Sequence, residues 1–201
     1  MDFQEILSSR GLNTLMFTDP YAKLCFTSLL ASSFEKAVIY IDLDTTFSAY
    51  LQAGLIRTPH KLNVMLPSSN ERLVPMIKDA LVLMEGGSAV IFDSVNSFYS
   101  LFPLREKSLG NLNHLLSVLL MLLVKRGSET GSPVLATSML RYRHAGGWVQ
   151  SPASRRLLQN KSAVKMKVDL KDGGELALTI VAHDSVPVGK ELVLTDRAVT
   201  A

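Results

Sequence analysis

The sequence predicts an α/β domain of three layers, with a mostly parallel sheet that passes into an antiparallel C-terminal hairpin. Three observations carry that reading. Short apolar, β-branched runs such as KAVIYID and AVIF alternate with segments of helical period, the order expected of βαβ units whose strands are buried on both faces. Beyond Ala163 the pattern changes to strict alternation, Val164, Met166, Val168 and Leu170 against Lys165, Lys167 and Asp169, the mark of a strand wet on one face. Asp172-Gly173-Gly174 then supplies a hairpin turn before a further apolar run.

Taken in order, Leu12 to Phe17 is the first strand, ended by Thr18-Asp19-Pro20, and Lys23 to Glu35 reads as a helix. Lys36 to Asp42 is the second strand. Phe47 to Leu55 is helical, Lys61 to Leu66 is a strand, and Asn70 to Glu85 keeps helical spacing despite Pro75 until Gly86-Gly87 stop it. Ala89 to Phe92 is a buried strand running into Asp93-Ser94. After a loop, Leu109 to Lys125 is a helix and Pro133 to Thr137 another buried strand; Ala163 to Leu170, Glu175 to Ala182 and Glu191 to Leu194 complete the sheet.

At 201 residues, 47% hydrophobic and 19% charged, the chain has the size and apolar content of one domain, 1–201, with its core at about 12–140. A basic loop and C-terminal hairpin region fill about 141–198. Cys25 is the sole cysteine, and His60, His114, His144 and His183 are scattered, so no disulfide framework or metal site is expected. The N-terminus lacks a signal-peptide pattern, and the longest apolar run, Leu115 to Val124, is short of a membrane span, so the expectation is a cytoplasmic protein without membrane contact.

KAVIYIDLDTTF, then AVIFDSVNSFYSLF about fifty residues later, then a helix and SPVLATSM, together resemble the core of the RecA/RadA/KaiC class of P-loop ATPases. The C-terminal hairpin followed by KELVLTD resembles the end of that domain, so the likeness runs from about Leu12 to Ala198 and rests on pattern and order. It implies a RecA-like fold. It also implies that Lys23 holds the phosphate-loop lysine position, Asp44 the place of the glutamate that activates water, Asp93 the Walker B acid, and Ser138 the small polar end of the sensor strand.

The phosphate loop itself departs from the pattern. A working loop is G-x-x-x-x-G-K-S/T, whose glycines let backbone N–H groups wrap phosphate and whose hydroxyl holds Mg²⁺. Aligned on Lys23, this chain offers Phe17, Thr18, Asp19, Pro20, Tyr21, Ala22, Lys23 and Leu24: neither glycine is present, and Leu24 replaces the hydroxyl. Side chains crowd the approach, Pro20 lacks an N–H, and Asp19 repels a triphosphate. Asp44 is a methylene shorter than glutamate, and Thr45 follows where the family prefers glycine. No catalysis, cofactor or metal is therefore expected: Lys23, Asp44, Asp93 and Ser138 are relict positions, and a lone lysine opening a helix is expected to be a solvated surface residue. The absence of glycine after the first strand also removes a Rossmann reading with Asp42 as ribose ligand. Ser94 lies in DSV rather than a nucleophile elbow.

Charge is segregated. Arg141, Arg143, Arg155, Arg156, Lys161, Lys165 and Lys167 fall in one stretch without Asp or Glu, leaving 14 cations against 18 anions elsewhere although the whole chain carries +3. RYRHAGGWVQSP reads as a mobile loop that interleaves Tyr142 and Trp148 with cations, the ingredients of single-strand nucleic-acid binding; a solvated basic face or a dock for an acidic partner is the other reading. By position it corresponds to the DNA-facing loop of RecA-like recombinases. From Val118 to Val124 every residue of the long helix is apolar, which asks for cover all round, by the C-terminal region or by a second subunit. Three functions follow as expectations: a P-loop-less, pseudo-ATPase RecA-like accessory of DNA recombination or repair that binds nucleic acid, a partner or both; a structural subunit of a larger ring, as with the P-loop-lacking RecA-like subunits of Elongator; or an ATP-binding protein with a remodelled site built on Lys23, Asp44 and Asp93.

Overall fold

The computed structural model describes residues 3–56, 61–102, 108–144, 147–150 and 162–194. After a short 3-10 turn at Phe3–Glu5, the chain forms β1 (Leu12–Phe17), α1 (Pro20–Ser33), β2 (Val38–Asp42), α2 (Thr46–Gln52), β3 (Leu62–Met65), α3 (Asn70–Leu83), β4 (Ala89–Asp93), α4 (Val95–Ser100) and α5 (Leu109–Thr130). It continues through β5 (Val134–Arg143), β6 (Gly147–Gln150), β7 (Ser162–Leu170), β8 (Leu176–Ala182) and β9 (Glu191–Leu194).

The sheet runs β3-β2-β4-β5-β1-β7-β8-β9, parallel from β3 through β7 and antiparallel at β7–β8 and β8–β9, with β6 attached only to β5. This is the RecA-like α/β fold. β2 and β4 are buried along their whole length. Their alternate side chains feed two cores: Val38, Tyr40 and Ile91 pack with α1 and α2, whereas Ile39, Ile41, Val90 and Phe92 pack with α3 and α5. Among the described residues no helix is long and apolar enough to cross a membrane.

Three elements differ from expectation in ways that matter for function. α1 begins at Pro20 rather than Lys23, because Asp19 caps it by accepting the Tyr21 N–H at 2.8 Å and Pro20 occupies the first turn, where a missing N–H costs nothing. What aligns with a phosphate loop is thus a two-residue turn, Thr18-Asp19, and a closed helix start. The segment read as a mobile loop instead extends β5 to Arg143 and folds back as β6, pairing Leu140↔Gln150, Arg141↔Val149, Tyr142↔Trp148 and Arg143↔Gly147. Finally, α5 buries Leu119, Leu120 and Leu123 but leaves Val118, Met121 and Leu122 on the surface, Met121 58% exposed. Among the described residues, the all-apolar end of this helix is covered on one side only.

Candidate functional site

At the carboxyl ends of β2 and β4 the parallel strands release three carboxylates, Asp42, Asp44 and Asp93, with oxygens within 4.8 Å of one another. In open α/β sheets ligands bind outside the carboxyl ends of the strands, where these acids stand. Here they surround Lys23. Its side chain is 1% exposed, contrary to the solvated residue expected, and its Nζ donates to Asp93 Oδ2 at 2.6 Å and to Asp44 Oδ2 at 3.4 Å. The ammonium also stands 5.4 Å from the centroid of the Phe17 ring. Burying an unpaired ammonium costs several kcal/mol, about as much as folding can tolerate, so the lysine turns inward only because two acids at the ends of the neighbouring strands β2 and β4 meet it there.

Asp93 has further partners: Oδ2 accepts from the Tyr40 hydroxyl and Oδ1 from Thr137 Oγ1, both at 2.5 Å. Tyr40 is itself locked by stacking on Phe47, with ring centroids 4.0 Å apart. Asp44 accepts the Thr46 N–H at 3.0 Å and Ser97 Oγ at 3.4 Å. Thr45, between them, stands in the left-handed region at φ 61°, which explains the family's glycine at that position in backbone terms. Ser138 is buried and donates toward Asn96 Oδ1 at 3.5 Å, outside the charge cluster.

The electrostatics follow from this geometry. Burial alone pulls the Lys23 ammonium down, but the Asp93 and Asp44 carboxylates outweigh it and raise its pKa above the usual lysine value. Burial pushes Asp44 up, and Lys23 with the Thr46 hydrogen bonds reverses this, holding its carboxyl below the ordinary range. Asp42 goes the other way: burial raises it against the hydrogen bonds that Ser48 donates to Oδ2 from N at 2.8 Å and from Oγ at 2.5 Å. Its Oδ1 has no partner among the described residues. Tyr40 is driven well above the usual phenol value, first by burial and then by Asp93.

A raised folded-state pKa in an acid means that stability is lost as pH rises from about 4 through that pKa. Asp42→Asn removes the loss, keeps an acceptor for Ser48 and turns a donor toward the neighbouring carboxylates. The variant is expected to match or exceed the wild type at pH 7, with the gap closing toward pH 4. Urea denaturation across that range checks this; a variant weaker at pH 7 than at pH 4 contradicts it.

Mg²⁺ and a triphosphate do not fit these residues. Asp93 accepts from Lys23, Tyr40 and Thr137, and the Lys23 ammonium lies within the acid cluster. Leu24, in place of the metal-binding hydroxyl, is buried in the core with α1. The turn before α1 presents a capping carboxylate rather than a ring of N–H groups.

The basic residues gather elsewhere. Arg141, Tyr142 and Arg143 are exposed on β5 and Trp148 on β6, with Tyr142 and Trp148 60% and 53% accessible and their rings edge-to-face at 5.6 Å. Lys165 and Lys167 lie on β7, Lys167 paired with Asp169 at 2.7 Å. Arg155, Arg156 and Lys161 lie outside the described residues. Sequence reasoning missed Tyr40, Thr137 and Asn96. A tyrosine inside the otherwise aliphatic VIYID run was the available signal for the first, since a buried hydroxyl needs a partner.

The fold and this cluster define a RecA-like α/β domain in which an internal lysine stands among the strand-end acids. No family model matches the chain, and no curated protein matches it. Among solved structures, the chain is similar to that of the RadB recombinase, with a TM-score of 0.64 and 15% sequence identity over 96% of this chain and 91% of that one. At that identity the likeness establishes the fold.

Proposed function

We propose that this protein is a RecA-like accessory of DNA recombination or repair that binds single-stranded nucleic acid through its β5–β6 hairpin without hydrolysing ATP. The observation that carries the reading is the hairpin: two arginines and two aromatic rings stand exposed at the end of the sheet where Lys23 already pairs with two of the three strand-end acids. The cations engage phosphates and the rings offer stacking surfaces for bases. The fold shared with a recombinase supports this class over an unrelated nucleic-acid binder.

Fluorescence anisotropy with labelled single strands across a salt series tests it. Arg141→Ala/Arg143→Ala is expected to weaken binding at least about tenfold and to flatten the slope of log K against log salt by about 1.4, two phosphates' worth. Calorimetry with Mg²⁺-ATP is expected to give no saturable heat. Absence of strand binding at low salt refutes the nucleic-acid reading, and ATP affinity lost in Asp93→Ala favours a remodelled nucleotide site.

A second reading, a structural subunit of a RecA-like assembly, draws on the exposed Val118, Met121 and Leu122 of α5. It predicts self-association, or association with a RecA-like partner, that is weakened by Met121→Glu. Light scattering checks this, and a strict monomer at high concentration, with no partner, counts against it.

A further inference from the structure

Among the described residues, the hairpin meets the body of the sheet where β5 parts from its neighbours. β4 accompanies β5 from Val90↔Val134 only to Phe92↔Ala136, β1 as far as Phe17↔Met139, and from Leu140 onward β5 pairs with β6. Past the end of β4, the Met139 N–H needs a new acceptor. It donates to Asn96 Oδ1 at 2.7 Å, and Ser138 Oγ approaches the same oxygen at 3.5 Å. Asn96 belongs to α4, whose start is set by Ser94: its Oγ accepts the Ser97 N–H at 3.1 Å and lies 2.7 Å from Ser97 Oγ. Ser97 Oγ in turn reaches Asp44 Oδ2 at 3.4 Å.

We propose that Asn96 is a positioning residue for strand binding: its carboxamide takes over from β4 as the ladder partner of β5 and sets the angle at which Arg141, Tyr142, Arg143 and Trp148 are presented. The binding role rests on the nucleic-acid reading above; the positioning role does not. A backbone N–H held by one side chain is a geometric pivot, because among the described residues no strand on that side constrains the departure of β5. Through Ser97 and Asp44 the pivot is tied to the Lys23 cluster, so the hairpin is oriented without a ligand.

Trp148 is the sole tryptophan and sits on the hairpin, which makes it an internal reporter. In the full chain, Asn96→Ala is expected to speed the local component of the Trp148 time-resolved anisotropy decay. It is also expected to weaken binding of a labelled single strand about tenfold, the loss of one part-buried hydrogen bond, with an unchanged salt slope because every cation remains. Asn96→Asp keeps an acceptor oxygen and is expected to restore the wild-type decay, while Asn96→Ser, too short to reach Met139, repeats the alanine result if that variant folds poorly. A wild-type decay in both Asn96→Ala and Asn96→Ser, or no rescue by aspartate, overturns the proposal. If the wild type binds no strand, the decay still decides whether Asn96 positions the hairpin, so failure of the two readings is told apart.

Discussion

Lys23→Ala is expected to cost about 3–5 kcal/mol of folding stability, the loss that follows when one partner of a buried ion pair is removed and the other charge is stranded. The ammonium is the only cation among the described residues within reach of both Asp44 and Asp93, and the buried Asp93, at the end of the central strand β4, cannot reach water without breaking the centre of the sheet, whereas Asp44, just beyond β2, is partly exposed. A surface lysine changed in the same way would shift stability by a few tenths of that. Lys23→Met/Asp93→Asn, which removes both charges while keeping the shapes, is expected to recover most of the loss, giving a coupling energy well above 1 kcal/mol in a double-mutant cycle. Urea denaturation of the wild type, Lys23→Met, Asp93→Asn and the double variant measures it. Additive effects, or a loss below 1 kcal/mol in the single variant, would falsify the inward lysine.

The second large effect is expected at Gly127, inside α5. A Cβ built there meets the Ser132 carbonyl oxygen at 2.4 Å and Val134 Cγ2 at 3.1 Å. The helix passes over the start of β5 with no room for a methyl group, and the Ser132 N–H closes the contact by donating to the Gly127 carbonyl at 2.8 Å. Gly127→Ala gains helix propensity of about 1 kcal/mol and loses more to overpacking against backbone, for a net cost of about 1–3 kcal/mol; Gly127→Val should cost more. Thermal unfolding checks the order wild type, alanine, valine. An alanine variant more stable than the wild type would show that α5 can shift.

Much of the sheet was legible because buried parallel strands write themselves as unbroken apolar runs: VIYID and AVIFD needed no context. The hairpin was not. Arg141, Tyr142 and Arg143 are strand residues with neither face in a core, so period carries no signal, and only pairing with β6 makes them a strand. α5 runs five residues past Lys125 because Gly127 serves close packing rather than ending the helix. For Lys23, identity was legible and environment was not. Its partners lie 21 and 70 residues away, and only the strand order 3-2-4-5-1 brings both acids to its side chain. Asp19-Pro20 was a helix-start signal in plain view, hidden by aligning the same residues to a phosphate loop.

The inward lysine has a consequence for timing. A counterion carried on a side chain is present at fixed local concentration and never dissociates, so no solute level sets its occupancy. On the proposed reading, grip on a strand is therefore not clocked by nucleotide turnover. Release would be passive, set by ionic strength and by competitors for the strand, and the amount of bound protein would follow its abundance rather than the energy state of its surroundings.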